Sequence, residues 1–280
     1  MFILLWTIVK RIIKLGIRNI LHPLKYYKSY TEQLNSVSVN ELFKDPKYIL
    51  SNVSNVDSSL IDKYPTCSEV EHQVGRYINM KTIAQEIESK GVPGDIVEFG
   101  VWQGLSLLLL SKTFQNQQPA RKFIGIDSFK GLPETSTIWR EGAFGDTSYE
   151  SVQSFIDDNS HNRQSFHLIS GWFDDPSVVT KLSSLTSDIA LVHFDADLGS
   201  STSSALRIVS QFLKNLSHPI YFLFDDWGCH PDEVPDAFHH WFKTVSDRYF
   251  LRAEKISTTR YTRYYRIEPS NLSRNRKSCN

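Results

Sequence analysis

Short apolar runs alternate with amphipathic stretches over most of the chain. DIVEFG (95–100), KFIGID (122–127), SFHLISG (165–171), IALVHFD (189–195) and PIYFLFDD (219–226) are brief, apolar and bounded by polar or turn residues. Such runs read as strands buried on both faces. Between them, GLSLLLLSKTF (104–114), SYESVQSFIDDN (148–159), PSVVTKLSSL (176–185), SSTSSALRIVSQFLKNL (200–216) and PDEVPDAFHHWFKTV (231–245) read as helices. A longer helix over 68–91 precedes them. Ser68 is its candidate cap, Glu69 and Glu71 fall in its first turn, Val70, Val74, Ile78 and Ile83 form its apolar face, and Gly91 ends it. RYFLRAEKIS (248–257) and RYTRYYRIE (260–268) have no helix between them, so one of the two must run antiparallel. The pattern predicts an α/β fold: a Rossmann-like, seven-stranded, mostly parallel sheet with helices on both faces.

The first 30 residues follow a different pattern. The uncharged run from Met1 to Val9 is too short to span a bilayer, and no small-residue cleavage site follows it. On a helix, Lys10, Arg11, Lys14 and Arg18 share one side, and Ile8, Ile12 and Leu15 take the other, with Trp6 as an aromatic anchor. This is the pattern of a basic amphipathic helix lying on an anionic membrane surface. The alternative is packing against the body or a second copy in a homo-oligomer. Residues 31–67 read as a polar lead-in, 68–268 as the main domain and 269–280 as a basic polar tail.

The net charge of zero conceals this division. Residues 1–30 and 252–280 carry 14 bases and two acids, which leaves 17 bases and 29 acids in between. An acidic body argues against a nucleic-acid partner. The three cysteines, Cys67, Cys229 and Cys279, have neither metal nor redox spacing and fit a reducing compartment. The expected location is the cytoplasm, at the inner membrane face if residues 1–30 bind lipid.

Two features carry candidate chemistry. The first strand runs into Glu98-Phe99-Gly100-Val101-Trp102-Gln103-Gly104 and then a helix, and the second strand ends at Asp127. A strand, glycine turn, helix, strand and acid in that order form the nucleotide-binding corner of a doubly wound sheet, where the acid accepts from ribose hydroxyls. Gly-x-x-x-Gly with Trp102 inside leaves little backbone for a pyrophosphate, and Glu98 would repel one. Both acids suit a cationic cofactor such as S-adenosylmethionine. The bland alternative is a structural turn with Asp127 at an exposed strand end. The second feature is two pairs of aspartates, Asp195 with Asp197 and Asp225 with Asp226, each following an apolar strand. On neighbouring strands about 4.8 Å apart they converge, and converging carboxylates need protons or a cation. Oxygen ligands alone favour Mg²⁺, or else Mn²⁺ or Ca²⁺. Helix capping explains one acid in each loop but not two pairs.

With these residues in place, the chain resembles the macrocin O-methyltransferase (TylF-type) group of class I S-adenosylmethionine-dependent methyltransferases. The matching segments are GDIVEFGVWQG (94–104), IDSFKGLPE (126–134), ISGWFDD (169–175), FDADL (194–198) and FDDWGCH (224–230). The resemblance implies Mg²⁺-assisted O-methylation of a sugar or glycan hydroxyl. It implies that Glu98, Gly100 and Gly104 line the methionine end of the cofactor, that Asp127 holds its ribose and that Ser128 to Pro133 form a lid. It places Gly171 and Trp172 near the adenine, and makes Asp195, Asp225 and Asp226 the metal ligands. The chain departs from the group at Gly199, where tyrosine is common.

Asp195 or Asp197 is the expected general base, with His230 third; His193 reads as a core residue. Trp102, Trp139 and Trp227 are candidates to stack on a sugar. Two rival readings remain. One is a catalytically inactive, membrane-associated scaffold or glycan-binding protein. The other is a different Mg²⁺ enzyme acting on a phosphate ester, which the missing phosphate loop disfavours.

Overall fold

The computed structural model describes residues 68–114, 120–214, 216–228, 233–255 and 261–269. The expectations for residues 1–67, His230 and the tail lie outside these residues. Among the described residues no helix is long and apolar enough to cross a membrane.

Helix α1 (Ser68–Ser89) leads into β1 (Asp95–Phe99), α2 (Leu105–Thr113), β2 (Phe123–Asp127), α3 (Tyr149–Asn159), β3 (Phe166–Ser170) and α4 (Pro176–Leu185). Then come β4 (Ile189–Phe194), α5 (Gly199–Val209), β5 (Ile220–Phe224), α6 (Glu233–Tyr249), β6 (Leu251–Lys255) and β7 (Arg263–Pro269). The strand order is β3-β2-β1-β4-β5-β7-β6. β7 pairs antiparallel with both β5 and β6, and the other pairings are parallel. The expected seven-stranded sheet is therefore present, with β7 as the one reversed strand.

The strands bury both faces. Val97, Phe99, Val192, Phe194, Phe222 and Phe224 pack with residues of α4, α5 and α6 on one side. Ile96, Leu191, Tyr221, Leu223 and Tyr264 pack with residues of α1, α2 and α3 on the other. This two-sided burial is why the runs read as continuous rather than alternating.

Three boundaries differ from the sequence pattern. The α1 core face is Val74, Tyr77, Met80, Ile83, Ala84 and Ile87, with Ile78 only partly covered. α5 ends at Val209 and tightens into a 3₁₀ turn at Ser210–Phe212. There the Ser210 hydroxyl donates back to Leu206 O and accepts from Trp241 Nε1, and such back-bonding competes with helix continuation. α6 runs on to Tyr249 because Trp241 and Val245 keep its buried stripe going, and Phe250, at φ 52°, ends it.

Winding proceeds outward from β1 through β2 to β3, then returns to β4 and β5 on the other side. This reversal opens a crevice at the carboxyl ends of β1 and β4, where open α/β sheets bind ligands.

Candidate active site

A cavity of about 990 Å³ occupies that crevice. Ligand pockets run to roughly 1,000 Å³, so this one has room for a cofactor and an acceptor together.

One end is built by the turn after β1. Gly100 has φ 88°, and a Cβ there would lie 1.7 Å from Asp195 O. Only glycine lets this turn pack on the end of β4. Asp127, at the end of β2, accepts from Val101 N at 2.8 Å and Trp102 N at 2.9 Å through Oδ2, and from Phe129 N at 2.7 Å through Oδ1. Its carboxylate therefore ties the β1–α2 turn to the β2–α3 loop while facing the cavity. Ser128 also lines the cavity, and its hydroxyl accepts from Lys130 N at 3.1 Å.

Three expected cofactor residues lie behind the cavity wall rather than on it. Glu98 is fully buried, accepts from the Ser106 hydroxyl and lies 3.2 Å from His193 Nδ1. Its Oε2 has no protein partner, which leaves a buried acceptor beside Ser106, a residue of the wall. Gly104, at φ 87°, abuts α3, where a Cβ would meet Val152 Cγ1 at 2.9 Å. Gly171 abuts α4, where a Cβ would meet Val178 Cγ2 at 2.6 Å. Trp172 does face the cavity.

The other end is acidic. β4 and β5 pair with Phe194 opposite Phe224, so Asp195 and Asp225 leave the sheet side by side. One carboxylate oxygen each from Asp195, Asp225 and Asp226 lies within 4.8 Å of the others. Asp197 lies beside Asp226, and both adopt left-handed backbone, at φ 55° and 54°. Both acids line the cavity together with Asp195 and Asp225.

The sequence reading missed two partners of this cluster, both on α1. His72 Nε2 lies 2.6 Å from Asp225 Oδ1, and Arg76 Nη1 donates to Asp195 Oδ2 at 2.9 Å and Asp225 Oδ2 at 2.7 Å. Their i, i+4 spacing was the available signal: two basic side chains on one side of a helix whose other side is apolar.

These surroundings split the carboxyl groups. Burial and the neighbouring Asp225 push Asp195 up to about 7. Burial and Asp226 push Asp197 well above the carboxylate range. Burial opposes the ionisation of Asp225 too, but His72 and Arg76 outweigh it and hold its carboxyl below that range. The consequence for stability has a definite sign. Asp195 and Asp197 bind protons more tightly folded than unfolded, so their contribution declines as pH rises above the unfolded carboxylate value of about 4, for Asp195 up to about 7. Asp197→Asn removes part of that decline. In ion-free buffer the variant's melting temperature should gain on the wild type's as pH rises through this window, and a gap that stays constant with pH would contradict the assignment.

Aromatic rings close the site. Trp102 is 42% exposed, donates from Nε1 to Asp146 and packs edge-on to Phe144, which also meets Trp139. Trp139 lines the cavity and its buried Nε1 has no protein partner. Trp227 is a correction to the expected stacking set. It is 6% exposed, packed among Phe224, Phe238 and Tyr265, and does not line the cavity. His193 is fully buried. Burial opposes its protonation, but the bond to Glu98 and the charge of that residue raise its pKa overall.

A model of the macrocin-O-methyltransferase (TylF) family matches residues 63–246. The chain belongs to the TylF family. Relatives with this enzyme class include a 4'-O-methyltransferase of Streptomyces olivaceus acting on 8-demethyl-8-(2,3-dimethoxy-α-L-rhamnosyl)-tetracenomycin C. It is 24% identical over 225 residues, covering 75% of this chain and 83% of its own. Demethyldecarbamoylnovobiocin O-methyltransferase of Streptomyces niveus is 22% identical, covering 71% and 79%. Among solved structures, the O-methyltransferase NovP superposes with a TM-score of 0.58 at 22% identity, covering 70% of this chain and 80% of that one. Fold and enzyme class thus agree with the sequence reading: the chain is an O-methyltransferase of the TylF family.

Gly199 is the position at which the resemblance leads one to expect a tyrosine. A Cβ there would lie 2.8 Å from the backbone oxygen of Glu233 at the start of α6. The close approach of α5 to α6 leaves no room for a tyrosine in this backbone arrangement.

Proposed function

We propose that this enzyme transfers the methyl group of S-adenosylmethionine to a hydroxyl of a sugar or glycan, with assistance from Mg²⁺. The observation that carries the reading is the pairing of two ends in one cavity. A glycine turn pinned by Asp127 forms one end, and the carboxylates of Asp195, Asp197, Asp225 and Asp226 form the other.

The residues fit both groups. The turn after β1 packs on the end of β4 because Gly100 has no side chain, and Glu98 lies buried behind it, beside Ser106 of the cavity wall. Asp127 can take a ribose hydroxyl beside its backbone bonds, because a carboxylate oxygen has two lone pairs. Asp195, Asp225 and Asp226 supply hard oxygen ligands for a divalent ion. S-adenosylmethionine provides a methyl carbon already activated by its sulfonium. Mg²⁺ provides a Lewis acid that lowers the pKa of an acceptor hydroxyl.

The remaining work falls to the chain. Asp195 or Asp197 accepts the acceptor's hydroxyl proton, and burial among neighbouring carboxylates raises the proton affinity of both. Trp102, Trp139 and Phe144 line the cavity and offer apolar faces to a ring. The fixed turns at Asp197 and Asp226 hold the carboxylates in place for the near-attack geometry.

The cavity wall narrows the acceptor. Nine carboxylates line it, against Arg76, Lys130 and His72. A wall of that sign repels phosphate. Neutral or amino sugars are therefore the expected acceptors. In an assay of S-adenosylhomocysteine release, methyl α-L-rhamnoside and methyl glucosaminide should turn over at least about tenfold better, by kcat/KM, than a nucleoside-diphosphate rhamnose. Preference for the nucleotide sugar would overturn this acceptor class.

Membrane attachment through residues 1–30 remains our reading of the sequence. Deleting them should abolish pelleting with phosphatidylglycerol vesicles, and unchanged pelleting would end it.

A further inference from the structure

The acidic cluster already has a cation in it. Arg76 Nη1 bridges Asp195 Oδ2 and Asp225 Oδ2, and His72 covers the other oxygen of Asp225. The Asp225 side chain is 1% exposed and that of Arg76 13%, so the contact is largely shielded from water. Two of the three carboxylates that would hold a divalent ion are thus already engaged, by a helix that precedes the sheet in the chain.

We propose that Arg76 is a resident counter-ion that competes with the divalent ion: it holds Asp195 and Asp225 together in the ion-free enzyme, and gives up at least one of them when the ion binds. This rests on the reading that Asp195, Asp225 and Asp226 take such an ion. The argument is electrostatic. Asp195, Asp225 and Asp226 each place one oxygen within 4.8 Å of the others, and Arg76 Nη1 is within 2.9 Å of one oxygen of Asp195 and one of Asp225. A divalent ion held by this cluster would sit close to the guanidinium, and repulsion between a dication and a unit charge about 5 Å apart is worth about tenfold in affinity even at the dielectric constant of water. A single Nη1 shared by two oxygens also occupies one acceptor site on each, leaving fewer for the ion. The geometry therefore links ion binding to α1: occupation of the cluster weakens the grip of Arg76 on the sheet end.

A guanidinium also stabilises ionised carboxylates, which on its own would favour ion binding. Working at pH 8, well above the ordinary carboxylate range, reduces that contribution and leaves mainly charge repulsion and competition for oxygens.

The test is calorimetric titration of the full chain at pH 8 with MgCl₂ and MnCl₂, on wild type, Arg76→Gln and Arg76→Lys. The expected result is that Arg76→Gln binds the ion at least tenfold more tightly, while Arg76→Lys, which keeps the charge, stays within about threefold of wild type. Equal or weaker binding by Arg76→Gln, with wild-type binding intact, overturns the inference and leaves the metal reading standing. No binding by any of the three proteins sinks the metal reading and the inference with it. A measurement on the wild type alone guards against a variant that fails to fold. Hydrogen exchange in α1 around His72 to Arg76 should speed up on addition of Mg²⁺, and unchanged or slower exchange would overturn the competition.

Discussion

Asp195→Asn is expected to lower kcat by about 10³-fold or more, while affinity for S-adenosylmethionine changes by no more than a few-fold. Asparagine keeps the shape of the side chain and one of its oxygens. It removes the charge that takes the hydroxyl proton and that helps hold the divalent ion. The loss should therefore appear in turnover rather than in cofactor binding, which depends on the opposite end of the cavity. Asp197→Asn separates the two candidate bases. If Asp197 is the base, its variant falls as far as that of Asp195; if Asp195 is, the Asp197 variant keeps more activity. Wild-type turnover by Asp195→Asn with Mg²⁺ present would refute the mechanism.

Gly100→Ala carries the largest structural cost we expect. The residue sits at φ 88°, which alanine adopts only under strain, and its Cβ would fall 1.7 Å from Asp195 O. Backbone must move at the point where β1 meets the end of β4. Strain and overpacking together are expected to cost about 3–5 kcal/mol, or roughly 10 °C in melting temperature for a domain of this size. Because Gly100 N also donates to Ile126 O, the displacement should reach the Asp127 corner and weaken cofactor binding as well. A variant that melts within about 2 °C of wild type and binds the cofactor normally would show that this turn tolerates a side chain.

Much of this was legible in the sequence because the sheet is buried on both faces. Its strands are continuous apolar runs, and the acids that end them stand out: IALVHFD and IYFLFDD place Asp195 and Asp225 at the same level once β4 and β5 pair in register. The glycine turn was legible for the same reason, as was Asp127 at a strand end. Other roles depend on distances that sequence does not contain. Glycine at 104 or 171 reads as cofactor contact, yet these glycines make room for Val152 and Val178. Glu98 reads as a wall residue, but strand alternation turns it under the cavity, toward His193. Trp227 follows the aspartate pair and reads as a sugar platform, but it completes an aromatic cluster with Phe238 and Tyr265. His72 and Arg76 were missed because their partners are 119 to 153 residues away. Nothing local marks which side of a helix will meet a distant strand end.

The most direct test of the central claim is calorimetric titration with S-adenosylmethionine, with and without Mg²⁺, on wild type and Asp127→Asn. Asparagine is preferable to alanine here because three backbone N–H groups rest on this carboxylate. The account predicts micromolar binding by the wild type, lost or weakened at least tenfold in the variant while its melting temperature shows that it remains folded. No binding by the wild type under either condition would contradict it.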